Sequence, residues 1–226
     1  MSINSQSIKT RSVRPGPEQR LLEAALQSGL PVGCSAPLLL HEAALPTGVP
    51  DLIAVEPRLH LGVLTVVRRK LQVRHLQTLQ LLAESGAKTL GEIELLLNYS
   101  TKKNIATLQD LERVDLVRRE RDRFVSRPVS KVFIVRRIVA IEAKMRAWRD
   151  ALDQAIANMW FASHSYILIP ALRCLEAICE EAEKFGVGVL VFDGEKTRTV
   201  LRPRKQRIPA SYGSWLINEW AVQQLN

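Results

Sequence analysis

Apolar and polar positions alternate along this chain with two different periods, and the change of period marks its elements. In PEQRLLEAALQSG (17–29), Leu21, Leu22, Ala25 and Leu26 recur at helical spacing behind a proline suited to a first turn and ahead of Gly29, so a helix of about three turns is expected. SAPLLLHEAAL and PDLIAVEPRL are short apolar runs separated by the turn-forming PTGVP, which predicts two strands and a tight turn. From about residue 60 the helical period returns in LGVLTVVRRKLQVRHLQTLQLLAESG, with a glycine stop at Gly86. A short amphipathic helix, TLGEIELLLN with Thr89 as cap, and a longer one, STKKNIATLQDLERVDLV capped by Ser100 or Thr101, follow it. RRERDRFVSRPVSKVF is partly alternating and reads as a hairpin. After residue 134 the order is a β-branched run, IVRRIVAIEAK; a helix, AWRDALDQAIANMW; a strand, SYILIP; a helix, ALRCLEAICEEAEKFG; and a strand, VGVLVFD. Strands alternating with helices indicate α/β architecture with some parallel pairing. The polar tail holds two Trp near its end and is expected to pack as a final helix.

Composition narrows this picture without changing it. The 226 residues are 46% hydrophobic and 24% charged, enough apolar material for one large domain or two smaller ones. Three cysteines (Cys34, Cys174, Cys179) form no C-x-x-C or Cys/His cluster, which argues against a disulfide framework or a zinc site and suits a reducing cytoplasm. No apolar run is long enough to span a membrane, and MSINSQSIKTRSVRPG lacks the apolar stretch of a signal peptide; residues 1–16 are expected to form a flexible arm. His41, His60, His75 and His164 have no metal-ligand spacing.

Charge points to a partner. Lys plus Arg number 32 against 23 Asp plus Glu, a formal charge of +9, which favours a polyanion and above all nucleic acid. Residues 101–137 alone hold 11 basic against five acidic side chains.

Over residues 70–133, three helices followed by a basic hairpin resemble the winged helix-turn-helix of bacterial transcription regulators. That resemblance implies that Ser100, Thr101, Lys102, Lys103 and Asn104 face the major groove and that Arg119, Arg121 and Arg123 follow phosphates. The bland alternative for RRERDR is a solvated surface.

The flanks, 17–58 and 134–202, carry Pro50-Asp51 opening one strand and Glu142-Ala143-Lys144 closing another. With the helix and strand order, these half-motifs resemble the PD-(D/E)XK nucleases, the restriction-endonuclease-like superfamily, and among them the Holliday-junction resolvases. The family usually joins its half-motifs by a hairpin, whereas here they lie 91 positions apart. The resemblance implies a restriction-endonuclease-like mixed-sheet core (17–58 and 134–226) interrupted by a winged helix (59–133). It also implies Asp51 and Glu142 as ligands of Mg²⁺ or Mn²⁺, Lys144 as electrostatic helper, a further acid from Glu18, Glu23 or Glu42, and Gln154 as a polar helper on the next helix. Residues two apart on a strand share a face, so Glu142 and Lys144 are expected to emerge together.

The expected activity is metal-dependent cleavage of double-stranded or branched DNA by a cytoplasmic endonuclease, with a homodimer as the expected assembly. The alternatives are a non-enzymatic DNA-binding transcription regulator whose core dimerises or senses, and an interaction scaffold. Taken alone, a Glu-x-Lys pair at a strand end is an ordinary surface ion pair.

Overall fold

A computed structural model describes residues 8–10, 16–35, 37–58, 71–171 and 174–225. The chain divides into two units, residues 8–57 with 135–209, and residues 58–134 with 210–226.

The first unit is mixed α/β. Helix α1 (Pro17–Gln27) precedes strands β1 (Leu38–His41) and β2 (Leu52–Pro57). In the second unit lie α2 (Val73–Ser85), β3 (Lys88–Thr89), α3 (Leu90–Leu97), α4 (Thr101–Arg113), β4 (Val117–Glu120), β5 (Arg123–Ser126) and the short α5 (Val129–Val132). The chain then returns through β6 (Val135–Ala143), α6 (Trp148–Asn158), β7 (His164–Pro170), α7 (Leu175–Phe185), β8 (Gly188–Phe192) and β9 (Thr197–Leu201), and finishes with α8 (Tyr212–Gln224) in the second unit.

Six strands form one sheet in the order β1-β2-β6-β7-β8-β9. The β1/β2, β2/β6 and β8/β9 pairs are antiparallel, and β6/β7 and β7/β8 are parallel. Parallel neighbours need a crossover, which α6 and α7 supply. Alternation then sorts the apolar side chains onto two faces. On one, Leu21, Leu22 and Ala25 of α1 pack with Leu52, Ala54, Val139, Ile141, Tyr166 and Leu168. On the other, Ala151, Leu152 and Ala155 of α6 and Ile178 of α7 pack with Ile167, Ile169, Val189 and Val191. The central strands are buried on both sides, which is why IVAIEA and YILI read as continuous apolar runs.

In the second unit, α2, α3 and α4 pack with a three-stranded antiparallel sheet, β3-β5-β4. Thr89 accepts the N–H of Glu92, whose carboxylate reaches back to the Thr89 N–H at 2.7 Å, a reciprocal cap that starts α3. Asn98 in the left-handed region ends that helix.

Two expectations need correction, and one strand was not anticipated. The tail, read as part of the core's second segment, belongs to the second unit: Trp215 is fully buried edge-on to Phe133 (ring centroids 4.6 Å apart), and the Ile134 N–H donates to Asn218 Oδ1 at 2.8 Å. The arm is docked where it is described, because Ile8 is buried and Thr10 bridges Ala43. Strand β9 went unread because TRTVL follows a charged turn and its outer positions are exposed. The start of the long helix expected from residue 60, and His60 with it, lies outside the described residues.

Gly188 begins β8 beneath a close contact, since a Cβ there would stand 2.5 Å from the Tyr166 ring and 2.8 Å from Pro203. Gly91, inside α3, has open space around it. Gly188→Ala should therefore lower stability by about 1–3 kcal/mol, whereas Gly91→Ala should raise it by about 0.5–1 kcal/mol. Urea unfolding midpoints of the two variants beside the parent check both signs.

Candidate active site

The register of three strands builds the site. β1 pairs β2 with His41 opposite Leu52, and β2 pairs β6 with Leu52 opposite Ile141. One position further along, the same registers set Glu42 beside Asp51 and Asp51 beside Glu142. The Glu42 N–H donates to the Asp51 carbonyl at 3.3 Å, and the Asp51 carboxylate accepts the Ala143 N–H at 2.7 Å. Asp51 and Glu142, 91 positions apart in sequence, thus meet at the end of β6.

Lys144 follows immediately. Its backbone N–H still pairs with Leu168 at 3.0 Å, but its ammonium leaves the strand and reaches Glu18 of α1 at 3.1 Å. Glu142 goes the other way: its carboxylate is 3% exposed and accepts a hydrogen bond from Asn158 of α6 at 2.6 Å. Since α1 and α6 cover opposite faces, Glu142 and Lys144 take partners on opposite sides rather than sharing a face as expected, while each still feels the other's charge. The reason is that β6 ends at Ala143, and Lys144 is no longer bound by strand alternation.

Electrostatics record the crowding. Burial, and then the negative charge of Asp51, push the Glu142 carboxyl up to about 8, against the smaller downward pull of Asn158 and Lys144. Asp51 is raised too, chiefly by burial, although the Ala143 N–H and Lys144 act against it. Burial alone would lower Lys144; the hydrogen bond and charge of Glu18, with Asp51 and Glu142 behind, outweigh it and raise its pKa. Glu42 and Glu18 add negative charge around Asp51.

Comparison with protein-family models, with curated proteins and with solved structures finds no match to this chain.

Of the residues singled out in the sequence, Asp51, Glu142, Lys144, Glu18 and Glu42 come together. Glu23 does not; it is exposed on α1 and pairs with Gln19. Gln154 is exposed on α6, and Asn158, one turn later, holds Glu142 instead. Nothing in the sequence distinguished Asn158 from other polar helix residues beyond its one-turn offset from Gln154. Among the described residues no three His, Cys, Asp or Glu side chains are grouped so as to hold a metal ion. Asp51 and Glu142 nevertheless fit a hard cation: Mg²⁺ needs only one or two carboxylates besides water, and these neighbouring carboxylates, one half-buried and one buried, both lie above their ordinary pKa despite the charge of Lys144.

The DNA-facing candidates divide similarly. Ser100, Thr101, Lys102 and Lys103 are exposed at the start of α4, whereas Asn104 is buried and donates to the Tyr99 carbonyl at 2.9 Å, so it faces inward. Arg119 lies over the Phe124 ring, Arg121 sits exposed at the β4–β5 turn, and Arg123 is tied to the Ala87 carbonyl and to Glu92. Arg136 and Arg137, counted with this basic stretch, belong to the other unit and pair with buried Glu56; over 101–134 the balance is nine basic to five acidic. Among the described residues no helix is long and apolar enough to cross a membrane.

Because Glu142 is raised on folding, its contribution to stability is complete below its unfolded pKa near 4.5 and is lost as pH rises through about 8. Across that window the parent protein should lose stability relative to Glu142→Gln, at no more than about 1.4 kcal/mol per pH unit. Denaturant titrations of both proteins at pH 5, 6, 7 and 8 give the comparison; parallel curves would sink the assignment.

Proposed function

We propose that this chain is a metal-dependent DNA endonuclease of PD-(D/E)XK type, carrying a winged helix that holds the duplex. The observation that supports it is the return of Asp51, across an insertion of nearly eighty residues, to the backbone of the Glu142-Ala143-Lys144 segment. Chance pairs of PD and E-x-K have no reason to meet at one sheet end.

A hard cation such as Mg²⁺ or Mn²⁺ held by Asp51 and Glu142 would neutralise the scissile phosphate and lower the pKa of the attacking water. The chain's own groups do the rest. Lys144, about one-fifth exposed and kept protonated by Glu18, presents a positive charge where negative charge develops on phosphorus-bound oxygen. Glu18 fixes where that ammonium sits. Hydrolysis joins a water oxygen to phosphorus and breaks one ester bond, whose departing oxygen takes up a proton. Asn158 orients Glu142 and leaves its second carboxylate oxygen for a ligand.

The winged-helix reading rests on the order α2, β3, α3, α4, β4, β5 and on the exposed first turn of α4, where Ser100, Thr101, Lys102 and Lys103 meet solvent. Asn104 is no part of this surface.

A second reading, a DNA-binding regulator with a non-hydrolysing core, is favoured by the depth of Glu142 and by the absence of a three-ligand group among the described residues.

Incubation with supercoiled plasmid and with branched DNA in Mg²⁺ or Mn²⁺ decides between them. Cleavage should fall by at least about 100-fold in Asp51→Asn, Glu142→Ala and Lys144→Ala. Mg²⁺ should also raise the melting temperature of the parent and of Lys144→Ala, but not of Asp51→Asn. Salt-dependent binding with no cleavage by the parent would favour the regulator.

A further inference from the structure

Residues 202–209, RPRKQRIP, run from β9 toward α8 with no regular secondary structure and carry Arg202, Arg204, Lys205 and Arg207 with no acid among them. The segment is nonetheless held firmly. The Arg204 N–H donates to the Gly186 carbonyl at 2.9 Å and the Gln206 N–H to the Ser163 carbonyl at 3.2 Å. The Gln206 side-chain amide donates to two more carbonyls, Met159 at 2.8 Å and Ala162 at 2.7 Å. With Gln206 turned inward, its neighbours Lys205 and Arg207 are exposed on either side of it.

The turn that Gln206 grips contains Trp160, whose indole is 67% exposed. A single exposed aromatic needs no explanation. This one, however, projects from the very turn to which a basic strip is stapled. The local field is positive as well: burial, then Arg137 and Lys205, press His164 down to about 4, and Glu56, the acid opposing them, is already engaged by Arg136 and Arg137.

We propose that Trp160, Lys205 and Arg207 form a grip for single-stranded DNA, in which a base stacks on the indole and the adjoining phosphates pair with the two cations. A run of four cations without an acid selects a polyanion. The indole selects an unpaired strand, because bases inside a duplex are stacked on each other and offer no free face, whereas phosphate contacts need no aromatic. This deepens the nuclease reading, on which it rests for its biological setting, by naming DNA with an unpaired segment as the substrate class. The strand β7 begins beside this turn, and its His164 pairs with Val139 while Ile167 pairs with Glu142. The two rows are three residues apart, about 10 Å along the sheet.

Fluorescence anisotropy with labelled oligo-dT of about 20 nucleotides and with a duplex of the same length tests the grip. Trp160→Ala should weaken oligo-dT binding by about ten-fold or more while leaving duplex binding within about two-fold, and Trp160→Phe should retain most of it. The double substitution Lys205→Glu/Arg207→Glu should weaken oligo-dT and reduce its salt slope by about 1.4. Binding is measured without divalent cation, so that it is read whether or not the parent cleaves, and failure of the grip and failure of the nuclease reading are read separately. Equal oligo-dT binding by Trp160→Ala and the parent, an equal loss on both probes, or no binding by the parent would overturn the proposal.

Discussion

The pairing of β2 with β6 is the constraint on which the candidate site depends. These strands are neighbours in the sheet but are separated in the chain by the whole of the inserted unit, and their register is fixed by apolar residues that must face α1. A slip of one position would turn Leu52, Ala54, Val139 and Ile141 to the wrong side of the sheet. The same register sets Asp51 at the end of β6, where its carboxylate takes the Ala143 N–H. The core therefore specifies the site: burying the α1 face places Asp51, and Asp51 caps β6 where Lys144 departs.

That arrangement carries a cost the core must bear. Glu42, Asp51 and Glu142 form a row of acids at one sheet end, and burial of Glu142 favours its neutral form. No apolar contact compensates a like-charge row directly. The sheet beneath is buried on both faces by α1 on one side and by α6 and α7 on the other, and this holds the carboxylates together despite their repulsion. Lys144 provides the local counter-charge, drawn toward α1 by Glu18, while Asn158 holds Glu142 on the α6 side. This crowding of acids is what the proposed cation would relieve.

Much of this was legible in the sequence, and the misses share a cause. Apolar period and turn residues disclosed the strands around Leu52 and Ile141 and the helices beginning at Pro17 and Thr101, because burial imposes those patterns directly. Asp51, Glu142 and Lys144 stood out because each adjoins a buried run. Periodicity fixes a face but not which neighbour a side chain meets. Hence Gln154 was singled out and Asn158 was not, although they lie one helical turn apart, and Asn104 was read as facing DNA although its amide is spent on the Tyr99 carbonyl. Arg136 and Arg137 were counted with the basic hairpin for the same reason: charge per stretch of sequence does not register that both pair with Glu56, some eighty positions upstream.

The tail presents the same problem at the scale of a domain. Its polar stretch, RPRKQR, remains with the sheet unit, and only from residue 210 does the chain join the inserted unit, where Trp215 and Asn218 meet Phe133 and Ile134. The insertion itself leaves and re-enters the sheet at adjoining points, since Pro57 pairs with Val135 and the Arg58 N–H donates to the Ile134 carbonyl at 2.6 Å. Ends that close need little loop-closure entropy, so an insertion of this length can interrupt the β2–β6 pair without loosening its register. In the residue pair that closes the insertion, Arg58 is thus only seven positions from Asp51 and Ile134 only eight from Glu142. Tight closure of the insertion and alignment of the two carboxylates are consequences of the same antiparallel ladder.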